Sequence, residues 1–378
     1  MLGVIADHLL RAVATATGLA EAGAAATITL DIGGLPAGAI PVLLAEPAGM
    51  AAAVGRLVQA GCTQILATHD PGCTGPIGAL ADALVVALGT GFAVACPALP
   101  ASGYTLYQGY VFRRQSLLAA AAPGDQSSYV RLLSLQSDGT VGLVPHGVVR
   151  GGVAAIRTAL AAQREQGRRV AVVDALDEDD LRAIGTALAG QAAVIGAPAL
   201  APFLASALAS GPASSPASLL AHEFDPSAAL PPFTGAAVIL AGATTRTALF
   251  QAGSARDRLP HAVLSPETLA WAIPRLGNRT EDKLGDAPLL ITAPTGLPEP
   301  AAAFAELAVT LVQHGVRRLL VTGAATATAV VSALGVTGLR LGPAGAGLPW
   351  MDARGAGPPL HLMLTDGDAG GRDLFLQV

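Results

Sequence analysis

The sequence predicts an α/β protein with two domains, each a mostly parallel sheet flanked by helices, and a cleft between them. Short apolar runs alternate with Ala-rich stretches of helical periodicity along most of the chain, and this alternation is typical of parallel sheets covered by helices. The alternation stops at residues 209–234, which are rich in Pro, Ser and Ala and have the composition of a linker. We therefore predict an N-terminal domain over 1–208 and a C-terminal domain over 235–378.

The individual elements follow from apolar runs of strand length and from helical periodicity. In the first domain, strands are expected at 3–6, 28–30, 41–44, 64–67, 92–96, 141–144, 169–173 and 193–195, and helices at 48–60, 77–87, 151–165 and 178–188. In the second domain, strands are expected at 236–240, 288–292, 317–321 and 360–364. Small-residue and glycine-rich turns follow the strand-like runs of 319–378. Backbone N–H groups at such turns attract phosphate, so this end of the chain indicates a nucleotide-handling domain.

Composition indicates a globular protein. The chain has 378 residues, 52% of them apolar, and a mean hydropathy of +0.54, but Gly, Pro or charge breaks each apolar run before the length of a membrane span. Its first residues run directly into a predicted strand without a basic segment, so we expect a cytoplasmic protein. Cys62, Cys73 and Cys96 lack the C-x-x-C spacing of a zinc site, and we expect reduced thiols.

The charge pattern argues against nucleic acid as a partner. The net charge is −5, and Lys283 is the only lysine, so the chain has no basic stripe. Enzymes that transfer phosphoryl groups from ATP usually place a cation against the phosphates. Lys283 stands in a polar loop pattern, where a solvated side chain is the simpler interpretation.

Two acid–imidazole pairs follow predicted strands of the first domain. Asp7 and His8 follow the first strand, and His69 and Asp70 follow the strand at 64–67. Ligands of open α/β sheets gather at the carboxyl ends of the strands, so these side chains are candidates for a general base or a metal site. Helix capping and turn formation are the structural alternatives.

Nearly the whole chain resembles the four-carbon acid sugar kinases. The resemblance rests on G-V-I-A-D at 3–7, A-C-P-A-L-P-A-S-G-Y-T-L-Y-Q-G-Y-V-F at 95–112, G-L-V-P-H-G-V-V-R-G-G at 142–152, V-V-D-A-L-D-E-D-D-L at 172–181 and the glycine-rich C-terminal segment. It implies two α/β domains and ATP-dependent phosphorylation of tetronates or 3-oxo-tetronates. It also implies Asp7 and Asp70 as catalytic residues, with His8 and His69 as weaker candidates.

The motifs on the acid-sugar side depart from the family pattern. In the family's A-D-D-x-T-G-A motif the second Asp is His8 and the Gly is Arg11. At the predicted substrate positions, Gln64 replaces a Lys and Tyr104 replaces an Arg. An Arg binds a carboxylate with two parallel hydrogen bonds, whereas a Tyr offers one hydroxyl. We therefore expect weakened binding of a small sugar acid.

The nucleotide side has lost side chains as well. The family's G-G-E-T-S-G motif reads G-A-A-T-A-T at 323–328, and its K-S-G-N-F-G motif reads T-D-G-D-A-G at 365–370. The added Asp366 and Asp368 would repel a triphosphate unless Mg²⁺ lay between them, and they are the candidate metal ligands. We expect weak or absent binding of ATP and Mg²⁺. The candidate nucleotide contacts are Gly242, Gly323, Thr326, Gly367 and Gly370.

Three interpretations remain open at the level of the sequence. The first is a kinase-like protein impaired in phosphoryl transfer, with a binding or regulatory role. The second is an active, divergent kinase of a small sugar acid, and the third is a different enzyme that uses the same interdomain cleft. The Ala-rich helices are also compatible with a homodimer.

Overall fold

The structure is a computed structural model that describes residues 1–30, 35, 38–118, 127–209, 236–265, 267–277, 287–294, 300–345 and 348–378. The chain divides into two compact units. Unit 1 comprises Met1–Ala26 and Gly34–Phe224, and unit 2 comprises Thr27–Gly33 and Asp225–Val378. Lys283 and all but the first residue of the predicted linker lie outside the described residues.

Unit 1 is built on a parallel sheet. In chain order its strands are β1 (Leu2–Ala6), β3 (Ile40–Leu44), β4 (Gln64–Thr68), β5 (Ala93–Cys96), β9 (Val141–Val144), β10 (Val170–Val173) and β11 (Ala193–Gly196). Their order across the sheet is β3-β1-β4-β11-β5-β10-β9. Apolar side chains are buried on both faces of these strands, which is why the strands read as continuous apolar runs.

Eight helices belong to the described part of unit 1. They are α1 (Leu9–Glu21), α2 (Met50–Gln59), α3 (Ile77–Ala87), α4 (Tyr129–Gln136), α5 (His146–Val149), α6 (Gly152–Glu165), α7 (Glu178–Ala187) and α8 (Leu200–Ala209). Local sequence explains where several of them start. At α7, for example, the side chain of Asp177 accepts a hydrogen bond from the N–H of Asp180, and three acidic residues in the first turn favour the positive end of the helix dipole.

A small antiparallel sheet follows β5, and the sequence analysis did not predict it. It consists of β6 (Tyr104–Tyr107), β7 (Tyr110–Arg113) and β8 (Ser116–Leu117). The turn between β6 and β7 is held by the buried carboxylate of Asp174, which accepts hydrogen bonds from the N–H groups of Gln108 and Gly109 at 2.6 and 2.9 Å. The main sheet therefore fixes the position of the small one.

Unit 2 contains a mixed sheet. Its strands are β2 (Ala26–Thr29), β12 (Ala236–Ala241), β13 (His261–Val263), β14 (Leu289–Thr292), β15 (Val316–Thr322), β16 (Gly338–Gly345), β17 (Leu348–Arg354) and β18 (Leu360–Thr365). Their order is β13-β14-β12-β15-β18-β17-β16-β2, with the first five parallel and the others antiparallel to their neighbours. The described helices of this unit are α9 (Arg246–Arg256), α10 (Thr268–Gly277), α11 (Pro300–Gln313) and α12 (Ala324–Ala333).

The predicted α/β class and the mostly parallel arrangement are confirmed. The main difference lies at 338–354, where the sequence analysis expected a glycine-rich turn and the structure has the antiparallel pair β16 and β17. In the described part of the chain, no helix is both long and apolar enough to cross a membrane. Cys62, Cys73 and Cys96 are free thiols.

Candidate functional site

The structure brings the two predicted acid–imidazole pairs of unit 1 to the same edge of the sheet. β1 and β4 are adjacent, parallel and paired at their last residues, and neighbouring strands lie about 4.8 Å apart. Asp7 and His8 follow β1, and His69 and Asp70 follow β4. The four residues therefore emerge from neighbouring strand ends, as the sequence analysis expected for a site.

Arg11 joins this group through its guanidinium. Its Nη1 donates a hydrogen bond to Asp7 Oδ2 at 3.1 Å, and its Nη2 lies 2.8 Å from His8 Nε2. The Arg11 side chain is only 12% exposed. Burial lowers the pKa of the guanidinium, while the charges of Asp7 and Asp70 oppose that effect. Arg11 is thus paired with Asp7 and attracted by the charge of Asp70, the two carboxylates that the sequence analysis expected to be catalytic. We call Asp7, Arg11 and Asp70 the charged triplet.

Asp7 and His8 both contact Arg11, but one oxygen of Asp7 is left without a partner in the described part of the chain. Oδ1 of Asp7 is buried and has no hydrogen-bond partner among the described residues, which is a costly state for a carboxylate oxygen. His8 is the N-cap of α1, with its Nδ1 3.3 Å from the N–H of Arg11. In both contacts, from the backbone N–H and from Nη2 of Arg11, the imidazole nitrogen would have to accept a hydrogen bond. A neutral imidazole accepts at one nitrogen only. His8 therefore satisfies one of them at a time.

Asp70 forms the turn that follows β4. Its Oδ1 accepts a hydrogen bond from the N–H of Gly72 at 3.0 Å, and its Oδ2 accepts one from the hydroxyl of Thr74 at 2.6 Å. Burial alone would raise the pKa of Asp70, but these two hydrogen bonds and the charge of Arg11 outweigh it, and the pKa lies below its ordinary value. Asp70 is consequently an ionised carboxylate and a weak base at neutral pH.

His69 has a structural environment. Its side chain is buried, its Nδ1 lies 2.8 Å from the carbonyl oxygen of Asp70, and its Nε2 lies 2.7 Å from the hydroxyl of Tyr129. Burial lowers the pKa of His69 to about 4. The neutral ring therefore donates from Nδ1 and accepts at Nε2. Neither nitrogen is left to act on a substrate, so the geometry does not support a catalytic role for His69.

Gln64 lies away from the charged triplet. Gln64 is the first residue of β4, and the triplet lies beyond Thr68, the last residue of this strand. At 3.3 Å per residue, Gln64 and Thr68 are about 13 Å apart. The Nε2 of Gln64 donates to the carbonyl oxygen of Leu188 at 2.7 Å. A substrate-binding role was predicted for Gln64 from its place in a family motif. The structure does not support this role, because Gln64 stands at the amino end of β4, whereas the charged triplet lies beyond the carboxyl end.

Tyr104 is the first residue of β6 and lies beside Arg113. The two residues are paired across β6 and β7, and the guanidinium carbon of Arg113 lies 5.4 Å from the centre of the Tyr104 ring. This contact is a cation–π interaction. The Tyr104 side chain also packs against the core of unit 1. The position that the resemblance assigns to an Arg is thus filled by an aromatic ring.

The candidate nucleotide contacts of unit 2 meet at the ends of three adjacent strands. β12, β15 and β18 are parallel neighbours. A Cβ atom added to Gly242 after β12 would overlap the hydroxyl of Thr326 in α12. Gly323 after β15 has a φ of 99° and donates its N–H to the carbonyl oxygen of Thr365, the last residue of β18. The five predicted residues belong to these turns and to α12; we call them the glycine rim.

Side chains of α9 and its N-cap hold the turn that follows β18. Thr245, the N-cap of α9, donates its hydroxyl to the carbonyl oxygen of Gly367 at 2.7 Å. Gln251 is fully buried, and its Nε2 lies 3.1, 3.5 and 3.0 Å from the carbonyl oxygens of Ala369, Gly370 and Gly371. Two side chains, Thr245 and Gln251, therefore fix the backbone of this turn through its carbonyl oxygens.

Asp366 and Asp368 lie exposed in the same turn. Asp366 Oδ1 accepts a hydrogen bond from the N–H of Asp368 at 2.9 Å, an arrangement typical of a side-chain turn. Within the described ranges, no group of three or more His, Cys, Asp or Glu side chains could hold a metal ion. Mg²⁺ takes about six oxygen ligands, so Asp366 and Asp368 could supply only part of the set, and waters and phosphate oxygens would have to supply the rest.

Three features of these groups were missed by the sequence analysis as functional elements. Arg11 stands four residues after Asp7, a spacing at which opposite charges commonly meet. Arg246 is the exposed first residue of α9, and among the described residues its side chain makes no ion pair. The first two residues of α12, Ala324 and Ala325, are exposed, and backbone N–H groups in the first turn of a helix have no acceptor within the helix.

Family models match both parts of the chain. Residues 43–205 match a family described as the sugar-binding N-terminal domain, and residues 238–375 match one described as the nucleotide-binding C-terminal domain. A solved structure from Salmonella typhimurium LT2 superposes with a TM-score of 0.84 at 29% identity, covering 100% of this chain and 98% of that one. A solved structure from Haemophilus influenzae gives a TM-score of 0.77 at 25% identity, covering 99% and 98%.

Curated relatives agree with the domain matches. The chain is 33% identical to 3-oxo-tetronate kinase of Salmonella typhimurium, over 100% of this chain and 98% of the relative. It is 33% identical to 3-oxo-tetronate kinase of Escherichia coli, over 90% of this chain and 97% of the relative. With both domains matched in order and the whole length covered, the chain belongs to the four-carbon acid sugar kinase family.

Proposed function

We propose that this protein is a kinase-like binding protein in which ATP-dependent phosphorylation of a small sugar acid is strongly impaired. The observation that carries the proposal is the 3.1 Å ion pair between Arg11 and Asp7, in which the Arg11 side chain is 12% and the Asp7 side chain 34% exposed. A general base must be within hydrogen-bond reach of the proton it removes and must have a pKa near the working pH. One oxygen of Asp7 already accepts a hydrogen bond from Arg11. Although burial opposes it, hydrogen bonds from Thr74 and Gly72 hold the pKa of Asp70 below its ordinary value.

The glycine rim of unit 2 supports weak nucleotide binding. The exposed first turn of α12 presents backbone N–H groups that suit a phosphate, and Arg246 at the start of α9 is a further cation on this unit. Asp366 and Asp368 oppose a polyphosphate unless Mg²⁺ accompanies it. When bound, ATP supplies the phosphoryl group for transfer. The residues of this chain would contribute backbone hydrogen bonds and orientation, with little charge stabilisation of the transferred group.

Removal of Arg11 tests the proposal. In an assay with ATP, Mg²⁺ and D-threonate, D-erythronate or their 3-oxo forms, we expect the parent protein to turn over near background. We expect Arg11→Gly to raise kcat/KM about tenfold or more, which corresponds to about 1.4 kcal/mol of barrier. Arg131→Gly is the matched control, because Arg131 is exposed and occupies the same third position in α4 that Arg11 occupies in α1. It should leave turnover unchanged.

An active, divergent kinase is the second candidate. It is favoured by the full-length similarity to relatives that carry the name 3-oxo-tetronate kinase and by the ionised Asp70, which can orient a substrate hydroxyl. Saturable turnover by the parent protein at micromolar KM would establish this candidate in place of the first. Equal activities of the parent and Arg11→Gly near background would mean that the ion pair is not the cause of the impairment.

A further inference from the structure

Gln251 holds a short segment of backbone in unit 2 through its buried amide. The residue lies at the middle of α9 and is fully buried. Its Nε2 lies 3.1 and 3.0 Å from the carbonyl oxygens of Ala369 and Gly371, and 3.5 Å from that of Gly370. We propose, on the basis of the weak nucleotide binding proposed above, that Gln251 is a positioning residue. Through these carbonyl groups it presents the N–H groups of residues 370–372 to the phosphates of the nucleotide.

The contacts of Gln251 determine where the N–H groups of the same peptide units point. Among the described residues no peptide bond is cis, and in a trans peptide unit the C=O and N–H groups point in opposite directions. The carbonyl groups of residues 369–371 converge on Gln251, so the N–H groups of Gly370, Gly371 and Arg372 point away from it. One buried side chain thereby sets the direction of three consecutive backbone donors.

These three N–H groups have no hydrogen-bond partner among the described residues, and residues 370–372 are exposed. By contrast, the two N–H groups at 367 and 368, earlier in the same turn, donate to the side chains of Thr365 and Asp366. Gly370 has a φ of 82°, the left-handed conformation that occurs where successive N–H groups form a concave site for an anion. The segment 370–372 therefore offers an oxyanion three unpaired donors.

The charges around this segment favour a phosphate chain that brings Mg²⁺ with it. The guanidinium carbon of Arg372 lies 5.0 Å from the centre of the Phe250 ring, a cation–π contact that keeps a positive charge beside the segment. The carboxylate of Asp373 accepts a hydrogen bond from a serine hydroxyl of α9 at 3.3 Å. Asp366 and Asp368 stand in the same turn and repel a bare anion, whereas a divalent ion bound to the phosphates offsets that repulsion.

Packing alone does not explain an amide at position 251. The Oε1 of Gln251 is buried and has no hydrogen-bond partner in the described part of the chain, which is unfavourable for a polar atom. A methionine of nearly the same length and volume would fill the same space without an unsatisfied oxygen, but it would lose the donor that holds the three carbonyl groups. The function of the amide therefore lies in its Nε2.

Calorimetric titration of the full chain and of Gln251→Met tests this role. The probes are ATP with Mg²⁺, and tripolyphosphate with Mg²⁺ as the phosphate chain without a nucleoside. We expect the parent to bind both probes, and Gln251→Met to bind each of them about fivefold or more weakly. The loss should be shared by the two probes, because the N–H groups of residues 370–372 would contact the phosphate chain that both contain.

Gln64→Met is the matched control. Gln64 in β4 of unit 1 is also fully buried, its Nε2 also donates to a backbone carbonyl oxygen, and its Oε1 also has no partner among the described residues. The same substitution therefore removes a buried amide of the same kind from the other unit. It should lower the free energy of unfolding, as Gln251→Met does, but keep the parent's affinity for both probes. A merely structural role of Gln251 would make the two variants alike.

Hydrogen exchange of the parent tests the same N–H groups without a variant, and it decides the question if Gln251→Met fails to fold. Tripolyphosphate with Mg²⁺ should slow amide exchange in the segment 369–373 by at least about twofold, because N–H groups bound to phosphate oxygens are protected. Exchange in α6 of unit 1 should stay unchanged.

Several results would overturn the role of Gln251. They are an unchanged affinity in a folded Gln251→Met, an equal loss of affinity in Gln64→Met, unchanged exchange of 369–373 with tripolyphosphate, and the absence of binding of either probe by the parent up to about 10 mM. Each of them leaves the impaired phosphoryl transfer standing, because that proposal depends on Arg11 and Asp7. Turnover of a sugar acid by the parent would refute impaired transfer and leave the effect of Gln251 on affinity intact.

Discussion

The charged triplet of unit 1 depends on interactions between side chains, whereas the glycine rim of unit 2 depends on the close packing of its backbone. The triplet consists of side chains whose charges face one another, with Arg11 bound to Asp7 and electrostatically coupled to Asp70. The rim consists mainly of glycine backbone packed closely against neighbouring groups, where a Cβ atom on Gly242, Gly323 or Gly367 would meet other atoms at 2.2, 3.1 and 2.5 Å. A substitution in the triplet can therefore change chemistry while the fold persists. A side chain added in the rim would disturb the fold itself. We therefore expect the backbone geometry of the rim to be kept even though charged side chains of the family motifs are replaced in this chain.

The largest effect is expected from a side chain added to the rim. Gly367 has a φ of 93°, and a Cβ there would lie 2.5 Å from Ala243 Cβ. Gly367→Ala should lower the free energy of unfolding by about 3 kcal/mol, from the left-handed backbone and the overlap together. Gly371→Ala is the control, because no atom lies within 4 Å of its added Cβ. Equal losses in the two variants, measured by urea unfolding, would show that the rim is not close-packed.

The buried imidazole of His69 should make the free energy of unfolding depend on pH. His69 has a pKa of about 4 when folded and about 6.5 when unfolded. Between these values the unfolded chain binds the extra proton, so stability falls as the pH falls through this window. We expect a contribution of about 2 kcal/mol between pH 7 and pH 5.

A matched pair of variants isolates that contribution. His69→Gln should reduce the slope of unfolding free energy against pH between pH 6.5 and pH 4, whatever it does to the absolute stability. His314→Gln, at an exposed histidine, should keep the parent's slope. If both variants keep the slope, His69 titrates normally in the folded protein and the structural interpretation of its contacts is wrong.

Parallel-strand packing explains what the sequence could predict. Fully buried strands such as β10 and β11 are uninterrupted apolar runs, so their position and parallel arrangement could be predicted from pattern alone. The placement of Asp7 and Asp70 at one edge of the sheet followed because Asp7 comes directly after β1 and Asp70 comes two residues after β4. The hairpin of β16 and β17 was missed, since its L-G-P-A-G-A-G-L segment has the composition of a turn and its pairing depends on long-range contacts.

Side-chain contacts were harder to predict than strand ends. The Arg11 contact depends on the conformation of a long side chain at the start of α1, and only its spacing from Asp7 gave a signal. Gln64 was placed by similarity to a motif, without regard to which end of β4 it occupies. The turn between β7 and β8 has two left-handed residues, Arg114 and Gln115, which a sequence without glycine at those positions does not indicate.

The smallest effect is expected from Asp366 and Asp368, the charged residues beside Gly367 of the rim. Asp366 and Asp368 are exposed, and an Asn at 366 would keep the side-chain oxygen that accepts the N–H of Asp368. Thr365 is buried and accepts a hydrogen bond from the N–H of Gly367, so removing the two carboxylates disturbs the turn less than replacing Thr365 with a cation would.

We expect the double variant Asp366→Asn, Asp368→Asn to bind ATP about fivefold more tightly than the parent without Mg²⁺, and its ATP affinity to depend less on Mg²⁺. Asp257→Asn at the far end of α9, about 16 Å along the helix axis, is the control and should bind like the parent. Tight ATP binding by the parent without Mg²⁺, or the same gain in the control, would mean that the two carboxylates do not face the phosphates and that the rim's weakness lies in its backbone.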